Sequence, residues 1–504
     1  MNRRNRPPAA RGSARLRSPL AIGVIALIPI TVFFALGGHF VHLAALLLLL
    51  VLILCPLAQI FSRRRHGQGL DEGRGERSSQ DARPDVTAAP PGVEPARTKT
   101  SLWGPLSNPI FRTLWLASLI SGTAVSAQDT ALRWVMNGLS TSSLLLSAIS
   151  TLTFLAFCLL TFPAGMAADR IDKRRLLKVI NLLLAASSGL LTVFALHGIT
   201  PAIILVFAFV LACGMATTAP AWTALMPEVV EEKYWPAVSA LGGVQLNLSS
   251  IVGPAIGGFL IPALGTSIVF GLAAAGFVLL AWSVRSPRYP TIHPAVEERK
   301  GWPAMLQELG EVVVSERSIQ VIITRNILFS LFIAVIPTLL PVVGLKVLHL
   351  NSTSLGLLFT SLGIGSVVGG FWIVPVVKAR LTANGVTILA SVMLGLTYFL
   401  MGCIRKPPAF MLIAGIGGVA WTLAAAELWA AGLSAASPGL RGRVNAMLMV
   451  VANGGLVIGG LVWGMMPDRY GIDTTLHAAS IALLCSLPLL FWLSIDLKRL
   501  DESA

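Results

Sequence analysis

The sequence predicts an all-α protein that crosses a membrane many times, and three observations carry that prediction. Of its 504 residues 55% are hydrophobic and only 12% are charged, with a mean hydropathy of +0.77. So little charge leaves more apolar surface than a soluble core can hide. The apolar residues gather into runs of spanning length, with the charges gathered between them. Backbone polar groups in hydrocarbon must pair within their own segment, so the runs are read as helices. A closed barrel would instead need alternating segments of about ten residues, which are absent.

Fourteen spans follow, near 19–38, 40–61, 112–136, 143–164, 176–197, 201–222, 237–262, 266–284, 321–343, 354–377, 385–404, 409–432, 444–466 and 474–494. The first two form an N-terminal transmembrane hairpin, residues 1–62, which opens with basic residues from Arg3 to Arg17. A rival reading takes 1–37 as a signal peptide, because Ala35-Leu36-Gly37 is a small-x-small cleavage pattern. Residues 63–108 follow as a flexible cytoplasmic linker, rich in Gly, Pro, Ser and mixed charge from Arg63 to Pro95 and too poor in apolar residues to fold. The other twelve spans divide into a six-helix half at 109–284 and another at 321–495, with a tail at 496–504. Between the halves lies a central cytoplasmic loop, 285–320, where Trp302, Met305, Leu306, Leu309, Val312 and Val313 recur at helical spacing, as in a helix lying on a membrane face.

The net charge is +15, and all but five of the 38 Lys and Arg fall in segments on one side. The five exceptions are Arg133, Lys346, Arg405, Lys406 and Arg469. That bias orients the chain with both termini cytoplasmic, in the inner (cytoplasmic) membrane of the cell. It also explains the basic composition without nucleic acid, since the cations lie in short loops and form no single patch. The five Cys lie in or beside apolar runs without paired spacing, and the seven His are scattered, so neither a disulfide framework, a metal site nor a catalytic dyad is indicated. No Gly-Lys-Ser or Gly-Lys-Thr phosphate loop occurs, which leaves an ion gradient, with a proton gradient the expected source and no cofactor. The chain is not expected to be an enzyme.

The densest charge cluster is Gly165-Met166-Ala167-Ala168-Asp169-Arg170-Ile171-Asp172-Lys173-Arg174-Arg175-Leu176-Leu177, read as a loop in water between two spans. Gly165 lets two helices converge, Asp169 can face a helix N-terminus, and Arg170, Lys173, Arg174 and Arg175 hold the loop on the cytoplasmic side. This cluster resembles the loop between the second and third helices of major facilitator superfamily transporters, in the branch of the enterobactin exporter and macrolide efflux proteins. Short stretches across 109–495 resemble that branch too: Phe111-Arg112, Pro227-Glu228, Leu339-Leu340-Pro341, Arg441-Gly442-Arg443 and Trp463-Gly464. The resemblance implies two six-helix halves around a midplane cavity, with the first, fourth, seventh and tenth core helices lining it. Gly253-Pro254-Ala255-Ile256-Gly257-Gly258 resembles the signature of the superfamily's antiporter-type exporters; Pro254 frees a backbone carbonyl and the glycines permit close helix contact. A partial copy of the charged loop, Gly369-Gly370 with Lys378 and Arg380, follows the eighth core span without the acid.

Charges inside the spans are the candidate coupling or substrate groups. Asp129 and Arg133 stand four apart on one helix face, either as an internal ion pair or as a pair at the outer mouth. Glu427 sits in an apolar stretch, with Arg325 at similar depth as a candidate partner. Gln128, Gln245 and Asn247 are polar candidates of the interhelical kind, and Trp421 and Trp429 can stack on a solute or anchor at the interface. The expected function is proton-coupled export of a small or amphipathic solute, siderophore- or drug-like, by a monomeric core in the lipid bilayer, the hairpin's partner being unknown. A lysophospholipid-type transporter, or a non-transporting sensor or assembly protein, are the alternatives. Asp169 is expected against the N-terminus of the eleventh core helix, near Val444 to Ala446.

Overall fold

A computed structural model describes residues 101–284, 310–311, 313–436 and 440–493. The hairpin, most of the linker, most of the central loop and the tail lie outside the described residues. Among the described residues twelve helices are long and apolar enough to span a membrane, and there is no strand. The first half comprises α1 (Pro109–Leu139), α2 (Ser143–Arg170), α3 (Lys173–His197), α4 (Pro201–Val229), α5 (Trp235–Leu264) and α6 (Thr266–Ser283). The second comprises α7 (Arg317–Val347), α8 (Ser352–Lys378), α9 (Ala383–Cys403), α10 (Pro407–Ser434), α11 (Arg441–Tyr470) and α12 (Ile472–Leu490).

Short polar residues begin many of these helices. Asn108, Ser142, Asp172, Thr200, Asn351 and Thr382 each accept a first-turn N–H of the helix that follows, filling donors that have no intrahelical partner. Asn108 also donates from Nδ2 to Val229 O at 3.0 Å. The end of the linker, with the 3₁₀ turn Gly104–Ser107, is therefore tied to α1 and α4, contrary to its expected flexibility. Two residues, Ile171 and Asp172, separate α2 from α3, so the charged loop is shorter than predicted. Met166, Ala167 and Ala168 are good helix formers, and they carry α2 past its apolar run through Arg170. Density of charge marks water here without marking the end of a helix.

The halves repeat one packing plan. α1 packs on α5, α2 on α4, α3 on α4 and α3 on α6; six helices later α7 packs on α11, α8 on α10, α9 on α10 and α9 on α12. Between the halves α5 packs along α8 and α2 along α11, a pair of seams related by the same six-helix shift. One end of the bundle carries Lys173 to Arg175, Lys378, Arg380, Arg441 and Arg443; the loops α1–α2, α7–α8 and α11–α12 lie at the other. These are called the basic end and the far end below.

Candidate functional site

At the far end the halves are closed on each other around Arg133. Its Nε lies 2.9 Å from Asp129 Oδ2 and its Nη2 3.2 Å from Oδ1, a two-pronged pair one helical turn apart. The free Nη1 donates to Ser150 Oγ of α2 at 2.9 Å and reaches Pro337 O of α7 at 3.5 Å, and the guanidinium lies 5.2 Å from the Phe359 ring centre on α8. Pro341 has no N–H to bond its i−4 carbonyl, which is Pro337 O, so that oxygen is free to accept from Arg133 and from Ser150 Oγ at 2.7 Å. One side chain thus ties α1 to α2, α7 and α8, while Asp129 keeps 42% of its side chain exposed. The ion pair is formed, with Arg133 buried and Asp129 half-exposed at the far end of the bundle.

Small residues make the two inter-half seams. A Cβ on Gly464 of α11 would lie 2.8 Å from Ser147 Cβ of α2; one on Gly460 would lie 2.5 Å from Thr151 Oγ1. Farther along, Cys158 Sγ approaches Val450 O at 3.7 Å. On the other seam Gly258 meets Ser352 O and Gly356, Gly356 meets Pro254 O, and Thr360 Oγ1 donates to Ile251 O at 2.7 Å. Gly253 and Gly257 instead face α1: a Cβ on Gly257 would come within 2.6 Å of Ala127 O. The Gly-Pro-x-x-Gly-Gly segment therefore clamps α5 between its own half and the opposite one.

Toward the basic end Phe162 of α2 packs with the cluster of Ile322 of α7 and Val444 and Leu448 of α11, while several glycines stand clear. Gly165 on α2, Gly442 on α11, and Gly242 and Gly243 on α5 have nothing within 4 Å of where a Cβ would stand. Three charged residues there have partners in their own half: Lys173 Nζ lies 2.5 Å from Glu228 Oε1 of α4, Arg174 Nη2 lies 3.9 Å from Oε2, and Asp172 caps α3 through Arg175 N at 2.7 Å. The side chains of Asp169 and Arg170 lie outside the described residues, so the expected contact of Asp169 with Val444 to Ala446 lies outside them too. The described contacts between the halves thus include the Arg133 tie at the far end and the Phe162 packing toward the basic end.

The expected Glu427–Arg325 pair is not formed. Glu427 Oε2 of α10 lies 2.9 Å from Lys378 Nζ at the end of α8, an ion contact whose angles fall outside those of a hydrogen bond and leave Oε2 without a donor. Arg325 turns instead to α9, donating from Nη1 to Asn384 Oδ1 and from Nη2 to Thr387 Oγ1 at 2.8 Å, with Nε unpartnered. It still acts on Glu427 electrostatically, so a carboxylate and two cations share this corner. Similar depth on neighbouring helices put Arg325 near Glu427, but depth says nothing about direction around the helix. Lys378 was visible only as part of the incomplete motif copy.

The other candidates make local or interhelical contacts. Gln128 is buried against α3, accepting from Ser188 Oγ at 3.0 Å, and Asn247 donates to Gly243 O of its own helix at 2.9 Å. Gln245 makes the interhelical bond expected of this class, to Ser118 O at 3.2 Å. Trp421 is partly buried against the main core and Trp429 is exposed. Among the described residues no group of His, Cys, Asp and Glu is placed to hold a metal ion.

Residues 100–504 match the family described as transmembrane secretion effector, and residues 25–77 match a family described as a protein of unknown function. The chain is 20% identical to macrolide efflux protein A of Streptococcus pyogenes over 382 residues, 74% of this chain and 93% of that one. It is 24% identical to the multidrug efflux pump Tap of Mycobacterium tuberculosis over 397 residues, 75% and 91% of the two chains. The fold is similar to that of a bacterial homologue of the human lysosomal transporter Spinster in an inward-facing, unoccupied conformation (TM-score 0.61, 14% identity, 80% of this chain and 98% of that one). It is similar also to the nucleoside transporter NupG (TM-score 0.59, 14% identity, 76% and 98%).

Proposed function

The chain belongs to the transmembrane secretion effector family of the major facilitator superfamily, and from that premise we propose a proton-coupled exporter of small or amphipathic solutes that works by alternating access. The observation that carries this reading is how the two halves meet: α5 packs along α8 and α2 along α11 through small residues, and Arg133 of α1 bridges to Ser150 of α2 and Pro337 O of α7. Two halves joined by seams of small residues can rock, exposing a central cavity to one side and then to the other. The positive-inside bias makes the basic end cytoplasmic and puts the Arg133 tie on the outer side, so an exported solute enters past the basic end. Glu427 is the acid assigned to the proton, because it is buried and its ion contact comes from another helix, a contact that movement of α8 against α10 alters.

The named relatives make a macrolide the first solute to try. In a drug-sensitive host lacking its own pumps, the chain should lower macrolide accumulation, and a protonophore should restore it. Accumulation unaffected by expression of correctly inserted protein, across macrolides and cationic dyes, would refute export; export that survives collapse of the proton gradient would refute the coupling.

A further inference from the structure

A second copy of the gating sequence stands at the far end of α11. Gly464-Met465-Met466-Pro467-Asp468-Arg469 matches Gly165-Met166-Ala167-Ala168-Asp169-Arg170 at its Gly, Met, Asp and Arg. Each copy closes its helix: α2 ends one residue after Asp169, and α11 ends two after Asp468. Along their shared seam α2 and α11 run antiparallel, so the two copies occupy opposite ends of one helix pair.

The far-end copy is engaged. The register that sets Gly464 against Ser147 and Gly460 against Thr151 brings Asp468 to the first turn of α2. There its carboxylate accepts from Ser143 N at 2.8 Å, Leu144 N at 3.2 Å and Ser142 Oγ at 2.8 Å. Leu145 N donates in turn to Ser142 Oγ at 3.5 Å. The first three N–H groups of α2, which have no intrahelical acceptor, are thus all bonded, two of them by an acid from the opposite half. Lys346 of α7 closes the corner by donating to Thr141 O and to Ser143 Oγ. Carried to the basic end, the same register sets residue 169 against 441–443, the first turn of α11, where the apolar N-cap Leu440 supplies no side-chain bond.

We propose that Asp468 is the positioning residue of an outer latch: docked on the N-terminus of α2 it holds the far end shut, and it leaves that N-terminus when the far end opens. Asp468 touches no solute. The latch rests on the alternating-access reading above, but its test needs no solute at all.

The full chain, stripped of its native cysteines and carrying Ser147→Cys, is reconstituted in sealed vesicles. Ser147 is fully buried at the α2–α11 seam beneath the latch, so a membrane-impermeant maleimide applied from the far side reaches it only when that end opens. Asp468→Asn should speed labelling roughly tenfold, because it removes a charge from a helix N-terminus together with half of its acceptors. Asp468→Glu should bring the rate back to within about twofold of the parent, a rescue that a merely structural role would not produce. If Asp468→Asn fails to reach the membrane, Ser142→Ala removes one of the three bonds and should speed labelling about threefold. Equal rates for the parent and the Asp468→Asn variant overturn the proposal. Labelling that responds while no solute moves would sink the exporter reading and leave the latch standing.

Discussion

Replacing Lys378 by Met tests whether Glu427 depends on this cation. The Glu427 side chain is 5% exposed, and the Lys378 ammonium 2.9 Å away reaches it from another helix. Met keeps most of the stem and removes the charge. Stranding one partner of a fully buried pair costs about 3–5 kcal/mol. Lys378 is 35% exposed and Arg325 also acts on the carboxylate, so water and a second cation recover part of that, leaving about 2 kcal/mol. Glu427→Gln strands only a lysine that can reach water and should cost about 1 kcal/mol or less. With no charge left to strand, the double variant should be little worse than Glu427→Gln alone, giving a coupling of about 2 kcal/mol in a double-mutant cycle read by unfolding of the purified protein in detergent. A coupling under about 0.5 kcal/mol, or one larger for Arg325→Met than for Lys378→Met, would show that the pair is not what stabilises Glu427.

In sealed inside-out vesicles Glu427→Gln should abolish pH-dependent export and Asp129→Asn should change it less, since Asp129 is paired one turn away on its own helix; the reverse order would exchange their roles. Asp169→Asn should weaken closure of the basic end, raising modification of a single cysteine placed at Gly165, and an unchanged rate would remove Asp169 from gating. Gly257→Val should force α5 off α1, where Ala127 O leaves no room for a Cβ, and cost about 3 kcal/mol or more. Gly243→Ala, with nothing within 4 Å, should leave folded yield unchanged; equal yields for the two variants would refute the packing argument. Deleting residues 2–100 should preserve export by inserted protein, and loss at equal membrane abundance would instead make the hairpin a docking unit.

The twelve core spans were legible because hydropathy is a local property that a bilayer enforces residue by residue. Their ends were less so: α2 runs six residues past its predicted limit because Met and Ala sustain a helix equally well in water. The Arg133–Asp129 pair was visible because both partners sit one turn apart on one helix. Lys378 and Glu427 are 49 positions apart in the sequence, and no local pattern joins them. Asp468 was open to view in the Gly-Met-x-x-Asp-Arg repeat, yet an acid at the end of an outward helix looks like any solvated turn until the antiparallel partner is placed beside it.

The α5–α8 seam joins Ser250 to Gly258 with Ser352 to Gly363, which places the fulcrum of any rocking motion off centre. From Ser250 to the start of α5 at Trp235 is about 22 Å, and from Gly258 to its end at Leu264 about 9 Å, at about 1.5 Å per residue. A 10° tilt about that seam swings the longer arm by about 4 Å and the shorter by less than 2 Å. The leverage is unequal: a slight tilt makes a wide intake on the basic side, whereas an outlet of the same bore on the other side needs a rotation more than twice as large. Under the proposed rocking, the side with the shorter arm, the outer one, sets the upper size limit of the solute.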